Sequence, residues 1–215
     1  GLAQTIGAFP EFGFTNTWLG RFRYANFTVD RFRQLGEYIY KIGGLLSHAH
    51  PLQLPGSGQP EDYFFSEHIA FETVHADVNN LSTRQNHQLW VKLLNLGRRL
   101  RTHGSSDSHG PVSNRGLTTV YTEKHFSTDI FNTIRSGDCT AGGVGIRMCI
   151  DDCPMGSSIP YAPGRKLYIR VGDFHRAHWK PETAYSLKVY TDKGLAYATE
   201  FDGTAPVSLV LPVQK

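Results

Sequence analysis

The chain has 215 residues, 40% hydrophobic and 12% aromatic, enough to bury a core, and its formal charge is only +3. Its basic residues are scattered apart from Arg98, Arg99 and Arg101, which excludes a strong nucleic-acid patch. No uncharged apolar run is long enough for a membrane-spanning helix.

The start "GLAQTIGAFPEFGF" lacks the charged and apolar regions of a signal peptide, so no compartment follows from it. Gly1 in place of Met suggests a processed or engineered start, compatible with removal of a leader or a whole N-terminal segment. Residues 1 to about 29 show no sustained period and read as irregular structure. Asp30 then caps a helix in which Phe32, Leu35, Ile39 and Ile42 recur at helical steps, ended by Gly43-Gly44. "GLLSHAHP" reads as a short buried strand stopped by Pro51, and "LQLPGSGQPEDY" as a loop.

"HIAFETVHA" is the next strand, with Ile69, Phe71, Thr73 and His75 alternating with Ala70, Glu72 and Val74. Asn86 caps a following helix whose stripe is Leu89, Trp90, Leu93, Leu94 and Leu100. Ser127 caps a last helix, with Phe126 and Phe131 as a hydrophobic staple, Ile130 and Ile134 on the inner face and Gly137 at the exit. Strands alternating with helices predict an α/β fold with a mostly parallel sheet or barrel over residues 1–140. Beyond Gly142-Gly143, "VGIRMCI", "RKLYIRVGDF", "AYSLKVYT", "LAYATEF" and "PVSLVLPV" predict a small all-β antiparallel sandwich over residues 141–215.

Cys139, Cys149 and Cys153 form no even disulfide framework and read as idle or buried thiols; the alternative is a Cys149–Cys153 bridge across a turn. Metal chemistry needs His, Asp or Glu donors converging from several elements. His48 and His50 stand two apart near the end of a strand, and Asp107 and His109 repeat that spacing in "SDSHG". The C-terminal ends of parallel strands are where α/β proteins build their sites. Set against this, "RTHGSSDSHG" also reads as a polar loop, and His48 as a core histidine bonded to backbone.

The ordered combination of "KIGGLLSHAHP", "FETVHADVNN", "LWVKLLNLGRRLRTHGSSDSHG" and "NTIRSGDCTAGG" resembles the C-terminal half of the polymerase and histidinol phosphatase (PHP) superfamily of metal-dependent phosphoesterases, in the branch with a β-rich C-terminal extension. The resemblance runs from about residue 38 to 150 and implies a partial PHP-type βα barrel followed by the sandwich. It implies that His50, Asp107 and His109 are metal ligands, with His48 and Glu72 as weaker candidates, Glu72 either packing or hydrogen-bonding behind the ligands. Spacing assigns no role to His103; Arg115 either meets a substrate phosphate or serves solubility at the surface.

The implied activity is hydrolysis of a small-molecule phosphate ester by metal-activated water, with Mn, Zn or Fe as the divalent ion. The founding His-x-His strand of the family has no counterpart in residues 1–37, since His48 is the first histidine. That shortage reads as a fragment, or as a reduced relative; a homodimer completing the half-barrel is also compatible with it. The rival reading is a non-catalytic scaffold or binding module whose sandwich, through Tyr161, Trp179 and Tyr197, recognises carbohydrate or a protein partner.

Overall fold

The computed structural model describes residues 14–16, 22–24, 28–52, 58–76, 81–107, 116–124, 126–172 and 184–213. Two compact units divide the chain, residues 1–72 with 85–101 and residues 73–84 with 102–215. In the first unit, β1 (Phe14–Asn16) pairs antiparallel with β2 (Phe22–Tyr24), a short ribbon where irregular structure was expected. Helix α1 (Val29–Lys41) is capped by Thr28, two residues earlier than the expected Asp30. Thr28 is extended and its Oγ1 accepts the Arg31 N–H at 3.3 Å, which leaves Asp30 in the first turn, where its charge meets the positive end of the helix. Gly43, at φ 88°, ends the helix as expected, whereas Ile42 is 59% exposed rather than in the core.

Strand β3 (Leu46–His48) lies parallel to β4 (Ile69–His75), with Leu46 opposite Ile69 and His48 opposite Phe71. Between them, α2 (Pro60–Tyr63) forms inside the expected loop, because Pro60 suits the first helical turn and the Asp62 carboxylate accepts the Gln59 N–H at 3.0 Å. Helix α3 (Leu81–Asn95) starts well before the expected Asn86 cap, so Asn86 lies inside the helix and is buried. Phe32, Leu35, Phe64, Ile69, Phe71 and Leu93 centre the core, each worth about 1.5–3 kcal/mol of burial. The Ile69 side chain leaves only 3.1 Å to a Cβ built on Gly36, so α1 rests against β4 at a glycine. Lys92 pairs with Glu61, and Arg99 with Glu67 at 3.0 Å, around the rim of this core.

In the second unit, the end of β4 runs beside β5 (Arg101–Ser105), completing a sheet of order β3-β4-β5. The Thr73 and Thr102 hydroxyls are bonded to each other, and Thr73 Oγ1 donates to the His103 carbonyl at 3.2 Å. Strands β6 (Thr118–Val120) and β7 (Cys139–Ala141) form an antiparallel pair that the sequence reading lacked. Helix α4 (Ser127–Ser136) is capped by extended Phe126 rather than Ser127, since the Phe126 carbonyl already accepts the Ile130 N–H at 3.1 Å. Phe126 is 68% exposed, so no staple closes with Phe131; Ile130 and Ile134 are half-buried and Gly137 takes the left-handed exit expected of it.

Strands β8 (Ile146–Ile150), β9 (Cys153–Pro154), β10 (Lys166–Val171) and β13 (Val207–Pro212) form an antiparallel sheet of order β13-β10-β8-β9. Strands β11 (Tyr185–Thr191) and β12 (Gly194–Phe201) form a separate antiparallel ribbon. The architecture is mixed α/β with a parallel sheet followed by antiparallel sheets, and no barrel closes among the described residues. Cys149 stands opposite Pro154 and Ile150 opposite Cys153, which puts the two thiols on opposite faces and corrects the alternative of a bridge; all three cysteines are free. Among the described residues, no helix is long and apolar enough to cross a membrane.

Candidate metal site

In the first unit, His48 closes β3 with its ring 5.6 Å from Phe32 and 5.9 Å from Phe64, and its Nδ1 is 2.6 Å from the Ala49 carbonyl. Burial among these rings lowers its pKa, opposed by the Ala49 carbonyl and reinforced by the nearby His50. The imidazole is thereby biased to its neutral form, and its described contacts are those of a packed core histidine. His50 follows in the left-handed region, at φ 53°, and its N–H donates to Glu72 Oε2 at 2.8 Å. Glu72 is fully buried in β4, so this carboxylate fixes the backbone on which His50 is carried.

In the second unit, His75 and Asp107 come together: His75 Nε2 lies 3.7 Å from Asp107 Oδ2. Two donors each about 2.0–2.2 Å from one ion stand roughly 3–4 Å apart, so this gap suits a shared divalent cation. It exceeds the distance of a direct hydrogen bond. The His75 side chain is 13% exposed and that of Asp107 37%, so one donor is sheltered and the other reaches solvent. An imidazole nitrogen and a carboxylate oxygen are donors that suit Zn, Mn or Fe.

Local bonds hold both residues in place. Thr83, buried in the first turn of α3, accepts the His75 N–H at 2.9 Å and donates to the His75 carbonyl at 2.8 Å. Ala76 N–H donates to the Ser105 carbonyl at 2.8 Å, tying the end of β4 to the end of β5 two residues before Asp107. Thr118 brackets Gly104 in the same way, accepting its N–H at 3.0 Å and donating to its carbonyl at 2.8 Å. Gly116, at φ 59°, lies so close to Ser105 that an added Cβ would overlap its carbonyl.

His50, Ala76 and Asp107 are three of the four described non-glycine residues with positive φ, and each follows a strand of the parallel sheet. Such strain concentrates where a side chain must be presented at one position. Asp107 thus lies beyond β5, which ends at Ser105, and not on the strand that the Asp-x-His spacing predicted. His109 and Arg115 lie outside the described residues, while His103 sits in β5 with its carbonyl taken by Thr73. Sequence reasoning missed His75, although the rule that singled out His48 and His50, a histidine at a strand's C-terminal end, applies equally to it. No protein-family model, no curated protein and no solved structure matches the chain.

Proposed function

We propose that the chain is a metal-dependent phosphoesterase-like protein of the PHP kind, built on part of a βα barrel with a β-sandwich extension. His75 and Asp107 hold the divalent ion, with His50, His109 and the weaker candidate His48 as the further ligands that the resemblance implies. The observation that carries this reading is the 3.7 Å approach of His75 Nε2 to Asp107 Oδ2 beyond the strand ends. His75 and Asp107 each offer a donor atom of a kind such an ion accepts.

When bound, a divalent ion supplies acidity to a water and Lewis acidity to a phosphoryl oxygen. The chain's residues do the positioning. Thr83 locks the backbone of His75, and Glu72 locks that of His50. The exposed carboxylate of Asp107 keeps the site open to a small phosphate ester. His75, being sheltered, offers a ring nitrogen to the ion with little competition from water.

Dialysis against Mn, Zn or Fe followed by elemental analysis tests the ligands on the full chain, His75→Gln and Asp107→Asn. Asparagine tolerates the left-handed backbone at position 107, so the second variant removes charge without adding strain. Near-stoichiometric metal on the full chain and its loss from both variants is expected; equal metal in all three, or none in any, overturns the reading. Hydrolysis of bis(p-nitrophenyl) phosphate by the metal-loaded chain, lost in the same variants, checks the activity. His50→Gln shows whether His50 belongs to the ligand set.

A further inference from the structure

The outer face of the sheet formed by β8, β10 and β13 carries a second feature, independent of the metal site. Arg147 pairs with Arg170, and Arg170 with Ser208, so these three residues form one row across three strands. All three are exposed and line one cavity of about 440 Å³, within the range of small-ligand pockets. Like charges placed directly opposite each other on a sheet are destabilising. Two arginines in register are therefore a cost to the fold that an anion between them would relieve.

Three acids, Asp138, Asp151 and Asp152, share the cavity with the arginines. Asp151 is engaged by Arg165 at 3.2 Å and also accepts the Lys166 N–H at 3.4 Å. Burial holds the Asp138 carboxyl above the usual range, against the pull of Arg147. Asp152 is exposed in the turn leading to β9. The Arg147 guanidinium stacks 5.0 Å above the Tyr121 ring, and Arg170 makes no ion pair among the described residues. Two residues from Arg170 on the same face, about 6.6 Å along the strand, Tyr168 exposes its ring beside Val210. An aromatic residue two positions along the strand from Arg170 is spaced as a stacking surface for a base is from the site of its phosphate.

We infer that this sheet face binds a small monophosphate bearing a planar ring, of the nucleoside monophosphate class, with the phosphate on Arg147, Arg170 and Ser208 and the ring on Tyr168. The cavity takes one such molecule, and the weak overall charge does not call for a polymer.

Calorimetric titration of the full chain carrying Asp107→Asn, in EDTA, keeps the metal site out of the measurement. The probes are adenosine 5′-monophosphate, adenosine and inorganic phosphate at low salt. The monophosphate is expected to bind tighter than either part. Arg147→Ala and Arg170→Ala each weaken it about 10-fold or more, and Tyr168→Ala weakens the monophosphate but not inorganic phosphate. Arg170→Lys, which keeps the charge and loses the planar fork, also weakens it, while Lys188→Ala on β11 leaves it unchanged; thermal melting checks that each variant folds. Monophosphate binding no tighter than phosphate overturns the proposal. So does unaltered affinity in the folded Arg170 variants, or an equal loss in Lys188→Ala.

Discussion

His75 and Asp107 meet at 3.7 Å because the backbones beneath them are tied together, Ala76 N–H to the Ser105 carbonyl at 2.8 Å. The side-chain approach is thus inherited from strand ends and does not depend on attraction between an imidazole and a carboxylate. Removing either side chain should leave the surrounding strands intact, which makes metal content a clean readout.

Thr83 is the test of that backbone support. Thr83→Val keeps the shape and removes both bonds to His75, with an expected loss of about 1–2 kcal/mol in urea unfolding. Thr83→Ser restores most of it. If His75 is a ligand, Thr83→Val also weakens metal binding, read by competition with a chromogenic chelator.

Glu72 is fully buried and accepts the His50 N–H at 2.8 Å. Glu72→Ala leaves that donor without its acceptor and opens a cavity, so a loss of about 2–3 kcal/mol is expected by denaturant titration. Glu72→Gln keeps an oxygen for the N–H and should lose clearly less. Equal losses in the two variants would show that the hydrogen bond is not what Glu72 contributes.

Gly116 combines positive φ with contact against the Ser105 carbonyl. Gly116→Ala should lower the melting temperature strongly, because both the backbone angle and the steric overlap act against the side chain. Gly164→Ala is the control. It also has positive φ, 83°, but nothing lies near its missing Cβ, so it should cost less.

Asp138 gives a pH signature. Burial raises its folded pKa above that of the unfolded chain, so the native state holds its proton more tightly. Stability from this group is present below the unfolded pKa, about 3.9, and is lost as pH rises through the folded value. Asp138→Asn should therefore be more stable than the parent at pH 7, with the advantage vanishing near pH 3. Chemical denaturation at the two pH values measures it.

Element types were legible wherever one period dominates. The stripe Phe32, Leu35 and Ile39 marked α1, and the alternation in "RKLYIRV" and "PVSLVLPV" marked β10 and β13, because burial of one face imposes those spacings. Helix starts were less legible. Thr28, Asp30, Asn86 and Ser127 can all cap, and which one does is decided by packing: Asn86 is buried within α3, where no propensity scale would put it. Strands of three residues such as β6 and β7 carry too few positions to show a period. Spacing singled out His50 and Asp107 as candidates, but the approach of Asp107 to His75 is a product of β4 and β5 running side by side, and no local pattern encodes it.

Strand β13 stands at one end of its sheet order and pairs with β10 over its full length, with Pro206 just before it and Pro212 as its last residue. Neither proline can donate an N–H, so the outer rim of this strand is a poor template for another chain to add to. The pair acts as a guard against intermolecular stacking of an otherwise regular "VSLVL" segment. In a concentrated solution, Pro206→Ser with Pro212→Thr would remove that guard, and the cost would appear as loss of solubility with little change in folding.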